Sequence, residues 1–125
     1  MDAQQVSAVE DCGGKGELIR LLAGDGGEPP ITARVSRDFP IEVEFAPGQD
    51  HRVSAFTVLA ELPDGSILPL TSGDLGELRT GERVRIAVAV RPSALLVGQA
   101  AMLRIEVLAE SVMEIDVRFP FDVGI

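Results

Sequence analysis

Residues 82–108, ERVRIAVAVRPSALLVGQAAMLRIEVL, contain two runs of period-two alternation joined by a short apolar loop that ends in glycine. Val84, Ile86, Val88 and Val90 share one face of the first run, and Arg83, Arg85, Ala87, Ala89 and Arg91 share the other. After Pro92 the pattern resumes, with Ala101, Leu103, Ile105 and Val107 set against Met102, Arg104 and Glu106. Strands with one apolar and one polar face belong to antiparallel sheets that are covered on one side only.

The same period recurs along the chain. ELIRLLAG from Glu17 reads as a first strand, and Ile31 to Val35 as a short one after the GDGGEPP turn cluster. FPIEVEFA, 39–46, turns Ile41, Val43 and Phe45 inward and Glu42 and Glu44 outward. VSAFTVLAEL, 53–62, runs into Pro63-Asp64-Gly65, and Ser66 to Leu70 return from that turn as a hairpin. TSGDLGELRTGE, 71–82, reads as a polar loop. The last strand is the longest, with Met113, Ile115, Val117, Phe119, Phe121 and Val123 of one parity and Glu114, Asp116, Arg118 and Asp122 of the other. Pro120 should mark a bulge or the point where this strand becomes an edge. Seven or eight short strands without a useful helix predict an all-β fold, an immunoglobulin-like antiparallel two-sheet β-sandwich, with a closed barrel as the alternative. Residues 1–16, polar and ending in CGGKG, read as a flexible lead-in, which leaves 17–125 as one sandwich domain.

Composition narrows the function classes. A chain of 125 residues suffices for one core, and 46% hydrophobic content excludes a disordered chain. No apolar run approaches the roughly 18 residues of a membrane helix. The start, MDAQQVSAVED, lacks the basic and apolar regions of a secretory signal, and Cys12 has no partner for a disulfide, so a cytoplasmic location is expected. A net charge of −9 without a basic cluster argues against nucleic-acid binding. Of the 11 basic residues only Lys15 is lysine. The arginines suit bidentate contacts with carboxylates, phosphates or vicinal hydroxyls, although a G+C-rich genome gives the same bias.

Catalytic chemistry finds little support. His51, the one histidine, lies in PGQDHR and reads as a solvated loop residue. No G-x-S-x-G elbow is present, and CGGKGE lacks the spacing of a phosphate-binding loop. One cysteine and one histidine far apart do not make a metal site, so neither metal nor cofactor is expected. The carboxylate pairs Glu42/Glu44 and Glu114/Asp116 read as solvated outer-face charge. More suggestive together are Arg83, Arg85, Arg104, Glu106, Asp116 and Arg118, placed on the open faces of strands expected to be neighbours. Such a surface can read a hydroxyl-rich ligand, or it can be a cross-strand salt-bridge ladder that binds nothing.

As an ordered string, these features resemble the C-terminal domain of O-antigen polysaccharide ABC transporter ATPases, the Wzt C-terminal domain, from about Gly16 to Val123. The resemblance rests on Leu21 to Gly27, FPIEVEFA, VSAFTVLAELPDGSIL, RTGERVRIAVAV, ALLVGQAAMLRIEVL and the closing RFPFDV. It implies a non-catalytic carbohydrate-binding module that recognises an exported O-antigen-type polysaccharide. The implied partners are that polysaccharide, a transporter ATPase or membrane export complex, and a second copy docked through the C-terminal strand. The ATPase half itself is not in this sequence, and neither tyrosine nor tryptophan occurs. The alternative is a protein-interaction or structural sandwich that docks a partner through an edge strand.

Overall fold

The computed structural model describes residues 3–125. Nine strands follow in order: β1 (Glu10–Gly13), β2 (Glu17–Ala23), β3 (Ile31–Arg34), β4 (Phe39–Ala46), β5 (Ser54–Glu61), β6 (Ile67–Asp74), β7 (Val84–Val90), β8 (Ala101–Ala109) and β9 (Val112–Gly124). A single turn of 3-10 helix, Ala94–Leu96, interrupts the link from β7 to β8, with the Ser93 side chain accepting from the Leu95 amide. β2, β4 and β7 form one sheet in that order. The other sheet runs β1-β9-β8-β5-β6, and β3 also pairs with β9. Every ladder is antiparallel except the parallel β3–β9 pair.

The alternation read from the sequence determines what lies between the sheets. β4 buries every second residue, so Ile41, Val43 and Phe45 are no more than 2% exposed. Leu21 of β2 and Ile86 and Val90 of β7 join them from the same sheet. The larger sheet contributes Phe56 and Val58, Leu103, Ile105 and Val107, and Ile115, Val117, Phe119 and Phe121 to the same core. Full burial of a side chain of this size stabilises the fold by about 1.5–3 kcal/mol.

Four expectations change. First, the supposed lead-in is tied down. β1 pairs with β9, the Val6 amide bonds the Leu21 carbonyl at 3.0 Å, and Val6 is 5% exposed. Second, the loop foreseen from residue 71 begins later, because β6 continues to Asp74. Third, β7 and β8 are not neighbours. The turn of helix between them carries the chain across the sandwich, so β7 pairs with β4 and β8 with β5 and β9. Fourth, β9 is an interior strand. β8 occupies one side, while β1 up to Arg118 and β3 from Phe121 occupy the other. Pro120, which has no amide hydrogen to donate, falls in the gap between these last two partners. The register shifts along β9 lie elsewhere, at Val107/Leu108 of the β8–β9 ladder and at Asp11/Gly13 of the β1–β9 ladder. A homodimer through an open C-terminal strand therefore loses its edge.

Candidate functional site

Because β7 and β8 lie in different sheets, the expected arginine surface divides in two. Outer faces of packed sheets point in opposite directions, so Arg83 and Arg85 cannot share a ligand with Arg104, Glu106, Asp116 and Arg118. On the smaller sheet Arg85 bonds Glu42, which Arg20 also reaches at 3.4 Å, and Arg83 lies 3.7 Å from Glu44. The bond to Arg85 holds the Glu42 carboxyl below the usual carboxylate range.

On the larger sheet the pairing is tighter. Arg104 donates from Nε and Nη2 to both Asp116 oxygens, at 2.8 and 2.6 Å, and from Nη1 to Glu61 at 3.0 Å. Its remaining carboxylate neighbour, Glu106, is 3.7 Å away. Arg118 grips Glu10 with two bonds of 2.8 and 3.0 Å and lies 3.5 Å from Glu61. The Asp116 bonds, then the Glu61 bond, raise the Arg104 pKa above its ordinary value against the opposing effect of burial. Each fork already holds a carboxylate, as a salt-bridge ladder requires.

The solvated histidine of the sequence reading is instead buried. Backbone bonds of 2.8 and 2.9 Å pair His51 with Leu78, and its side chain is 1% exposed. Nε2 lies 2.6 Å from Glu114 Oε2, and Nδ1 lies 3.4 Å from Glu110 Oε1. Glu114 belongs to the outward parity of β9 yet is 0% exposed, because the register with β8 skips it, Val107 pairing with Ile115 and Leu108 with Met113, and two glycine-bearing segments close over it. The Lys15 and Gly16 amides bond the Met113 and Glu114 carbonyls at 3.0 and 2.8 Å, and the Gly48 amide bonds Glu114 Oε1 at 2.8 Å. A Cβ at Gly16 would lie 2.8 Å from the Glu114 carbonyl oxygen, and one at Gly48 would collide with the Lys15 backbone. The run read as linker, CGGKG, is half of this cover.

Above His51 a groove of about 370 Å³ is lined by Asp50, His51, Arg52, Glu77, Leu78, Arg79 and Glu110. Its volume lies within the range of small-molecule sites. Asp50 Oδ1 accepts from the Thr80 amide and hydroxyl at 2.8 and 2.9 Å, and these bonds lower its pKa, the amide contributing most. Glu110 Oε1 accepts from the Arg52 amide at 2.8 Å. Glu110 and Ser111 form the two-residue β8–β9 turn at φ of 48° and 70°, a conformation that favours Asn or Gly. Keeping glutamate there is a local cost offset by the ties to Arg52 and His51. Glu77 and Arg79 complete the rim, 3.2 Å apart and well exposed. None of the sequence-selected arginines lines this groove. Only the turn residues PGQDHR hinted at it, and nothing local announced that residues 77–79 and 110 would meet them.

Chemically the groove offers planar, bidentate polar groups around one apolar residue. Its described lining contains no hydroxyl or thiol nucleophile. Among the described residues no group of three or more His, Cys, Asp or Glu is arranged to hold a metal ion. Cys12 is exposed on β1.

No family model matches the sequence, and no curated protein matches it significantly. Among solved structures, the chain is similar to a Niemann-Pick type C2 protein from Japanese carpenter ant, with a TM-score of 0.75 over 94% of this chain and 99% of that one. The fold is an immunoglobulin-like β-sandwich. At 14% identity the likeness extends to the fold alone. A Pseudomonas fluorescens alkylpurine DNA glycosylase, AlkC, bound to DNA containing an abasic site analog, gives a TM-score of 0.42 at 13% identity, over 88% of this chain and 31% of that one. That likeness is too slight to bear on the fold or the site.

Proposed function

We propose that this chain is a non-catalytic binding sandwich whose ligand is a hydroxyl-rich carbohydrate of the bacterial-polysaccharide type, held in the groove above His51. The observation that carries the reading is the rim itself. Glu77, Arg79, Arg52 and Glu110 present carboxylate and guanidinium edges around a cavity of about 370 Å³. Such edges read vicinal hydroxyls by paired hydrogen bonds, directly or through water. The buried His51–Glu114 contact beneath them gives the groove a fixed floor, which limits the ordering cost of binding. The resemblance to the polysaccharide-export domain supports the same ligand class and extends it to a role beside a transporter ATPase in the cytoplasm. The arginine forks of the larger sheet each grip a carboxylate with two bonds, whereas Arg79 meets Glu77 through one and both are well exposed, so the site proposed is the groove and not the sheet face.

Calorimetric titration with bacterial O-polysaccharides tests the reading. Binding is expected, with a loss of at least about tenfold on Arg79→Ala or Glu110→Asn, equivalent to one or two lost polar contacts. The sheet-face variant Arg104→Met should leave affinity unchanged. Absence of binding by folded protein, or binding indifferent to both groove variants, would refute it.

A further inference from the structure

The sheet edges of this sandwich are unequally protected. β6 carries Pro69, and the register of its ladder with β5 shifts at Val58/Leu59. β2 has a register shift between Leu18 and Arg20, and residues 4–6 bond the Leu21, Ala23 and Gly24 backbone along its outer side. β1 and β3 are four residues each, and β1 is irregular between Asp11 and Gly13. Proline, bulges, short length and covering segments are the devices by which proteins keep strand edges from pairing.

Among the described residues β7 has none of them. Its seven residues, VRIAVAV, pair with β4 in unbroken register from Val84 to Val90 and contain neither proline nor glycine. Among the described residues, β4 is its only strand neighbour. Val84 and Val88 remain part-exposed beside the core, and the outward positions at the centre are Ala87 and Ala89. Charge does not guard the edge either. Arg83, Arg85 and Arg91 meet Glu44, Glu42 and Asp38 within the same sheet region, so this side is close to neutral. A molecule of net charge −9 repels its own copies, and here the paired arginines offset that repulsion.

We infer that β7 pairs antiparallel with β7 of a second copy of this chain, joining two three-stranded sheets into one continuous six-stranded sheet. A two-fold axis across the strand satisfies the open amide and carbonyl groups of both copies with one self-complementary contact. Small alanines at the centre let the outer surfaces continue smoothly across the axis.

Analytical ultracentrifugation of the full chain across a concentration series tests this, together with backbone hydrogen exchange. Self-association is expected, with β7 amides slowing as concentration rises while those of β6 do not. Ala87→Lys places a cation beside Glu42 in its own chain, where the fold accepts it, but near its like across the axis. It should raise the dissociation constant roughly fivefold or more. Ser72→Lys on the β6 edge should leave it unchanged. A folded chain that stays monomeric at high micromolar concentration overturns the inference. So does a dimer weakened by Ser72→Lys and not by Ala87→Lys, or one that leaves β7 exchange unaltered.

Discussion

Glu114 is the residue on which the groove depends. A carboxyl group that is 0% exposed needs hydrogen-bond partners, and here these are His51 and the Gly48 amide. Removing one member of a buried pair leaves the other uncompensated, so Glu114→Ala should lower unfolding free energy by about 3 kcal/mol in urea titrations. The double variant with His51→Ala should cost less than the sum of the two single changes. Glu110 behaves differently. Glu110→Asn relieves a left-handed glutamate while deleting a rim carboxylate, so thermal stability should hold while ligand affinity falls. Carboxyl groups at the surface contribute to the acid dependence of stability. Asp50 and Asp64, with an ordinary value of 3.8, and Glu10 and Glu42, with one of 4.5, are all lowered by their hydrogen bonds. Their unfolded forms bind protons first, so the stability they contribute is present above that range and is lost as pH falls through and below it. Circular dichroism under mild denaturant should show that decline, and Asp50→Asn should flatten it.

Strands were largely legible because period two follows from backbone geometry alone, and β4 shows it without an error. Registers and sheet membership were not. Nothing in VRIAVAV or AMLRIEVL states that their connection crosses the sandwich, so the arginine surface was assembled from strands that lie in separate sheets. The reading of Glu114 failed for a related reason. Parity placed it outward, and parity carries no information about a register shift that skips a residue or about links between the sheets that close over it. Glycine spacing was the available signal, since GGKG and PGQ are the two segments that close over it. Gly48→Ala tests that closure. Its Cβ would meet Lys15 backbone, which cannot swing away as a side chain would, so a loss of about 1–3 kcal/mol is expected by calorimetry. Arg104→Ala should also destabilise, because Glu61, Glu106 and Asp116 would then lose the arginine they share, leaving Arg118 near Glu61 alone.

At the scale of the whole molecule, the amino-terminal residues belong to the sandwich. Deleting residues 1–13 removes β1, the Glu10 partner of Arg118 and the buried Val6. A clear fall in melting temperature should follow, where loss of a flexible extension would change nothing. The order in which β9 acquires its partners has a consequence for how the molecule is made. β9 pairs with β1, β3 and β8, and Glu10 lies 108 positions before the Arg118 it grips. All three partners leave the ribosome before β9 does, so β1 and β3 must wait unpaired until β9 has been made. The β1 and β3 side of the larger sheet can therefore assemble only once β9 has emerged, and a chain stalled before residue 112 would expose the open strands that chaperones engage.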